Sequence, residues 1–419
     1  MLTDLGTVWR RLLPADKMTR RVFVQGAGMA PLALVDSLKA APELAQGVTF
    51  VGVWIPGMNR TDWAALSESS SAETSFASPD WRETFQAGRT RILPFGYRRA
   101  YDWLGATPLD LAVVQVAPPD ADGLCSLSLA ADFAPAILAR EVPILGLINV
   151  AAPDLPGAPK VPLSRFAAVT EVDHPLTSYD SGALDPVSLA AAKNAAALIP
   201  DGATVQTGIG KLGAGVLAEL RDHRQLKLFG GMALDGLVAL EAAGALDPDA
   251  PRVAGGLYGG QRLIDHARRD PRVRLEPVNL THDLAVLARQ PRLHAVNSAL
   301  EVDLFGQVNG ERLDGRLVSG VGGLADFLRG ARASDGGAGV VVLPSTAAKG
   351  TVSRIRPLLD PGSTTIARSE AELILVTEHG VADLRGLDLD ARAEAILAIA
   401  APQHQAALAE AWGEIRRGL

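Results

Sequence analysis

Short runs of aliphatic and β-branched residues recur along the whole chain, separated by stretches rich in Ala and Leu. RVFVQ, VTFVGVW, LAVVQV and PILGLIN occupy the first half, and ATVQT, LKLF, GVVVLP and LILVTE the second. None alternates strictly between polar and apolar, so each suits a strand covered on both faces, as in parallel sheets flanked by helices. The pattern predicts an α/β chain with mostly parallel sheets. Pro186 to Ile199 and Ala391 to Ala400 carry the longer period expected of helices.

With 419 residues the chain is too long for one ordinary core and predicts two or three domains. A composition of 48% hydrophobic and 21% charged residues is that of a folded globular protein. The net charge of -7, without a Lys/Arg run, argues against a nucleic-acid partner. No apolar run approaches ~18 residues, so no membrane span is expected. The stretch from Met1 to Arg21 lacks the apolar core and cleavage site of a secretory signal. The single Cys125 rules out an internal disulfide, so a reducing, cytoplasmic location is expected and Cys125 itself reads as a buried structural thiol. Seven histidines are scattered with no i, i+4 pair or neighbouring Cys, and no metal site is expected. Ser126 and Ser345 lie outside any Gly-x-Ser-x-Gly elbow, which leaves a serine hydrolase little support.

Two segments, VFVQGAGMAPLALVDSL and ATVQTGIGKLGAGVLAEL, each read as strand, Gly-x-Gly and helix, with a Leu twelve residues after the first Gly (Gly26 to Leu38; Gly208 to Leu220). The halves can be two copies of one opening or a chance match of a common turn. A Gly-x-Gly between strand and helix brings backbone amides close to a ligand and points them at negative charge. In the first copy Pro31 interrupts the dinucleotide pattern Gly-x-Gly-x-x-Gly, and no acidic residue closes a strand some twenty residues on, so a nicotinamide-dependent dehydrogenase is a weak reading. The polar stretch Asp173 to Asp185 is the natural linker.

Five ordered blocks carry a more specific signal: Ala117 to Leu127, Ile199 to Gly210, Asn297 to Phe327, Leu343 to Pro357 and Val376 to Gly386. Together they resemble the acetyl-CoA hydrolase/CoA-transferase family, the class I CoA-transferases that include the 4-hydroxybutyrate and succinyl-CoA:acetate enzymes. The resemblance runs from about Val22 to Ala401. It implies two similar open α/β domains of the CoA-transferase (NagB/RpiA-like) type with the site at their interface, here residues 1–180 and 186–419. It implies acyl-CoA and a small carboxylic acid as partners, coenzyme A as a substrate and not a permanent cofactor, and a homodimer or higher homo-oligomer.

By the same resemblance, Gly208, Ile209, Gly210, Lys211 and Leu212 form the loop beside CoA, with the Ile209 amide donating to the thioester oxyanion. Gly320, Gly322 and Gly323 match a second CoA-contact loop, with Gly322 as the second backbone donor. Such fixed donors can contribute on the order of 3 kcal/mol to the barrier. Lys349 and Arg354 are candidates for the CoA phosphates, or solvated loop charges. Glu301, Asp303, Gln307 and Asn309 share an alternating face and either line the cleft or only fix a turn.

The family's nucleophile is a glutamate that takes CoA as a glutamyl thioester. Here the corresponding stretch is Leu228-Phe229-Gly230-Gly231-Met232-Ala233-Leu234-Asp235-Gly236. Met232, Asp235 and Gly236 hold the register, which puts Gly231 on the glutamate's place. Two further departures accompany it: no acid precedes Pro31, and Phe85 to Tyr97 lacks the family's His-Asn pair. Four readings stay open: direct attack by the acceptor carboxylate; hydrolysis with Asp235 or His379 as base; a non-catalytic CoA-binding pseudoenzyme or supporting subunit; and Asp235 or Glu301 acting from a new position.

Overall fold

The computed structural model describes residues 5–14 and 16–419. Met1 to Asp4 and Ala15, part of the stretch read above for a secretory signal, lie outside the described residues. The chain divides into two compact units, residues 1–180 with 253–281, and residues 181–252 with 282–419.

In the first unit the strands β1 (Arg20–Val24), β2 (Val48–Val51), β3 (Ser71–Thr74), β4 (Thr90–Ile92), β5 (Leu111–Val116), β6 (Ile144–Asn149) and β7 (Ala168–Val172) form one sheet. Its order is β4-β3-β2-β1-β5-β6-β7, and every pair is parallel. Strands β2, β5 and β6 are buried at every residue, which is why their sequences show no alternation. The excursion 253–281, which the sequence reading assigns to the second domain, belongs to the first unit. Within that unit Gly255 accepts from the amide of Ala131, Leu129 from that of Leu257, and Gly157 from that of Leu275.

The second unit repeats the plan. Strands β8 (Thr204–Thr207), β9 (Lys227–Phe229), β10 (Leu293–Ser298), β11 (Ala338–Val342), β12 (Ile374–Thr377) and β13 (Gly380–Asp383) lie in the order β9-β8-β10-β11-β12-β13. All pairs are parallel except the last. In the first unit β1 is central, with β2, β3 and β4 to one side and β5, β6 and β7 to the other; in the second β8 has β9 on one side and β10 to β13 on the other. This reversal opens a crevice at the carboxyl ends of the strands, the usual ligand position in open α/β sheets. Each Gly-x-Gly leaves its sheet there, the first towards α1 (Leu32–Ala40) and the second, after α2 (Pro186–Ala196), into α3 (Lys211–Glu219).

Candidate functional site

The two glycine turns are held differently. In the first unit the buried Asn59 closes the turn, its Oδ1 accepting from the amides of Ala27 and Ile55 and its Nδ2 donating to the Ala27 carbonyl. A Cβ on Gly26 would lie 2.2 Å from the Val53 carbonyl oxygen, so glycine is needed there for packing alone. This turn is an internally satisfied structural element.

In the second unit the turn is open at its amide end. Gly208 is anchored by its amide to the Val296 carbonyl at 2.8 Å, and Gly210 has φ of +107°, a backbone conformation that favours glycine. Helix α3 starts at Lys211 with no side chain capping it, so its first amides face the turn. Gly213 lets α3 come close: a Cβ there would stand 2.1 Å from the Gly208 carbonyl oxygen. Leu212 is buried beneath the turn. The Lys211 ammonium pairs with Asp185 at 2.5 Å, and Asp185 also accepts from the Ser188 amide at the start of α2. The Lys211 pair and the Ser188 amide hold the Asp185 carboxyl well below the usual carboxylate range. Lys211 thus ties the loop to α2 in addition to lying beside it.

Beneath Gly208, on neighbouring strands, the side chains of Gln206 and Asn297 bond reciprocally at 3.3 and 2.9 Å. A Cβ on Gly208 would lie 3.1 Å from Asn297 Oδ1, and one on Gly230 would lie 2.9 Å from Gln206 Cγ. The amide pair therefore places the Gly208 turn and the Gly230-Gly231 turn side by side, at the ends of β8 and β9.

Gly231 is buried, and its neighbour is His282. His282 immediately precedes Asp283, whose carboxylate accepts from Ala285 and Val286 to cap the short helix α4 (Leu284–Ala288). Its ring is 2% exposed and packs on Phe327 with centroids 4.5 Å apart. Phe327 lies in α5 (Leu324–Ala333), which begins at Gly323, again with no side-chain cap. Gly322 has φ of +57°. A Cβ on Gly323 would meet His282 Nε2 at 2.7 Å, so the 320–323 turn and Gly231 share one imidazole. Burial pushes that imidazole down to about 3, which keeps it neutral at ordinary pH.

The other candidates stand apart from this cluster by their own partners. Asp235 is exposed at the start of the helix Gly236–Ala242. His379 is exposed, with its ring 3.5 Å from Glu378 in its own turn. Lys349 is exposed in a left-handed conformation with φ of +58°. Arg354 donates to the Leu300 carbonyl at 3.2 Å. Asp303 is fully buried and accepts from the amides of Phe305, Gln307 and Leu359 and from the Gln307 side chain. Asn309 donates to Glu301 and to the Arg312 carbonyl. The alternating polar face therefore clasps a turn. Cys125 is buried, and burial pushes its thiol up, as a structural thiol requires. Among the described residues no helix is long and apolar enough to cross a membrane.

The profile of the acetyl-CoA hydrolase/transferase C-terminal domain matches residues 259–412. A 4-hydroxybutyrate coenzyme A transferase of Clostridium kluyveri is 31% identical over 413 residues, 96% of each chain. The chain belongs to the acetyl-CoA hydrolase/transferase family. Solved structures agree on the fold of this family member. RipA from Yersinia pestis superposes with a TM-score of 0.89 at 25% identity, covering 99% of this chain and 100% of that one. A 4-hydroxybutyrate CoA-transferase of Porphyromonas gingivalis gives 0.78 at 28% identity, covering 99% and 97%. The family is one of CoA-transferases and acetyl-CoA hydrolases, and the expectation of an enzyme of that kind with an open α/β fold stands.

His282 is the residue that sequence reasoning missed. Its only signal is a position just before a helix-capping Asp, which histidines adopt for many reasons.

Proposed function

We propose that this protein acts on a short acyl-CoA thioester as an acyl-CoA:carboxylate CoA-transferase that forms no glutamyl-CoA at position 231. The observation that carries the reading is the pairing of two uncapped helix starts, at Gly210 and Gly323, with a buried glycine where the family resemblance implies the nucleophile.

The amides of Ile209 and Gly322 supply the oxyanion donors, and such a donor is worth about 3 kcal/mol of barrier. Gly208, Ile209, Gly210, Lys211, Leu212, Gly320, Gly322 and Gly323 line the thioester and pantetheine end, and Lys349 meets a phosphate. The acceptor carboxylate attacks the thioester carbonyl, the C–S bond breaks, and a mixed anhydride and CoA thiolate form. The thiolate then attacks the acceptor's carbonyl in the anhydride, giving the new thioester and releasing the donor acid. Holding the two reactants together replaces the covalent intermediate, and proximity of this kind can contribute about 7–11 kcal/mol.

A second reading is favoured by the same missing side chain: water replaces the acid, and the product is free CoA and one carboxylate. The relatives include an acetyl-CoA hydrolase of Kluyveromyces lactis, 30% identical over 204 residues. Thiol release from a panel of short acyl-CoAs, with and without acetate, separates the two. Acyl exchange that depends on added acid supports transfer, and thiol release without it supports hydrolysis. Calorimetric CoA binding with neither reaction leaves a binding protein and removes both catalytic readings.

A further inference from the structure

Gly231 and Gly323 face one imidazole from different sides. A Cβ on Gly231 would stand 2.9 Å from His282 Cε1 and 3.2 Å from Nε2, and one on Gly323 would stand 2.7 Å from Nε2 and 2.9 Å from Cδ2. Real Cβ atoms do not approach that closely, so neither position accepts a side chain unless the ring moves. The ring cannot swing freely, because it is 2% exposed and packs on Phe327 at 4.5 Å. The backbone at Gly231 presents no obstacle of its own, since it is not among the positive-φ residues.

We infer that His282 is a positioning residue that fills the volume of the side chain absent at Gly231, props the Gly320–Gly323 turn from beneath, and closes that place to a glutamate. The inference rests on the proposed reading of Gly231 as the glutamate's position. The site has then been rebuilt around the loss, and Gly231→Glu alone cannot restore it. A proton-transfer role fits the residue less well: the imidazole is buried and neutral, and a base as weak as its low pKa implies takes a proton poorly near neutrality.

The test is a double-mutant cycle on the full chain: wild type, G231E, H282A and G231E/H282A, followed by thermal melts without ligand. Each single substitution is expected to lower Tm by about 5 °C or more, and the double to melt above G231E. Additive losses, or a G231E that melts like wild type, overturn the inference. If G231E does not accumulate, G231A puts a Cβ at the same 2.9 Å contact and carries the cycle instead.

A purely structural role would leave ligand binding alone. H282A is expected to weaken CoA binding about tenfold and H282F to keep it within about threefold, with no change in the pH dependence of either. An H282F as impaired as H282A, with a pH limb lost between 5 and 8, would show imidazole chemistry and overturn space-filling. Borohydride trapping with acyl-CoA, read by peptide mass, addresses the underlying reading separately. Glutamate reduced to its alcohol at residue 231 of the double variant, with CoA thiol released, supports it, whereas coupled melts without that reduction uphold the pair and count against residue 231 as the nucleophile's place.

Discussion

Gln206 and Asn297, on adjacent parallel strands, exchange two side-chain hydrogen bonds of 3.3 and 2.9 Å directly beneath the Gly208 turn. Both amides are buried, at 3% and 8% exposure, and Gly208 and Gly230 rest against them. Asn297→Ala leaves the Gln206 amide unmatched, at a cost of about 1–3 kcal/mol. The expected outcome is a lower denaturation midpoint together with weaker CoA binding, checked by urea melts and calorimetry. A stability loss with unchanged binding would separate the pair from the loop.

Gly213 is required by the approach of α3 to the Gly208 carbonyl, 2.1 Å from the place of a Cβ. Gly213→Ala should push the helix start off the turn, costing about 1–3 kcal/mol as overpacking does. The same shift misdirects the Ile209 amide, so turnover should fall further than binding. Comparing kcat with KM for the active acyl-CoA checks this.

Asp303 accepts four hydrogen bonds and is fully buried, so its role is to hold the turn between Glu301 and Gln307. Asp303→Ala should destabilise by about 3 kcal/mol or more, since several buried donors lose their acceptor together. Chemical denaturation measures the loss.

In the first unit Asp132 is buried beside the Tyr258 hydroxyl, 3.5 Å away, and burial pushes its carboxyl up to about 6 from the usual 3.8. A carboxyl raised on folding stabilises most in its protonated form, and that contribution is lost as pH rises through 6. The folded state binds the extra proton between those two values, so stability should fall from pH 4 to pH 7 by about 2 kcal/mol from this group. Asp132→Asn should flatten that slope and raise stability at pH 7 and above. Melts of both proteins across pH 4–8 test it.

His379 is exposed, with its ring 3.5 Å from the Glu378 carboxylate and its amide donating to the Thr377 hydroxyl. His379→Gln should leave thiol release within about threefold, whereas loss of a working general base costs about 100-fold or more. A 100-fold loss would move the chemistry to that turn.

Much of the architecture was readable in advance. Each of the eight apolar runs became a strand, and in those buried at every residue, such as β2, β5 and β6, the covering of both faces demands mostly apolar side chains, a demand that is local. The two Gly-x-Gly turns were readable for the same reason: a backbone that approaches another chain segment closely has room only for glycine. The grouping of 253–281 with the first unit was not, because it rests on contacts with segments more than a hundred positions away, which leave no local pattern.

The sequence alone determined eight of the strands, the two glycine turns and the identity of residue 231, since each follows from residues within one short stretch. Only the tertiary structure decided what stands against Gly231. His282 lies 51 positions along the chain and reaches it because α5, through Phe327 and Gly323, closes over the ring. A contact made by volume between distant segments has no local signature, so it becomes visible only once the chain has folded.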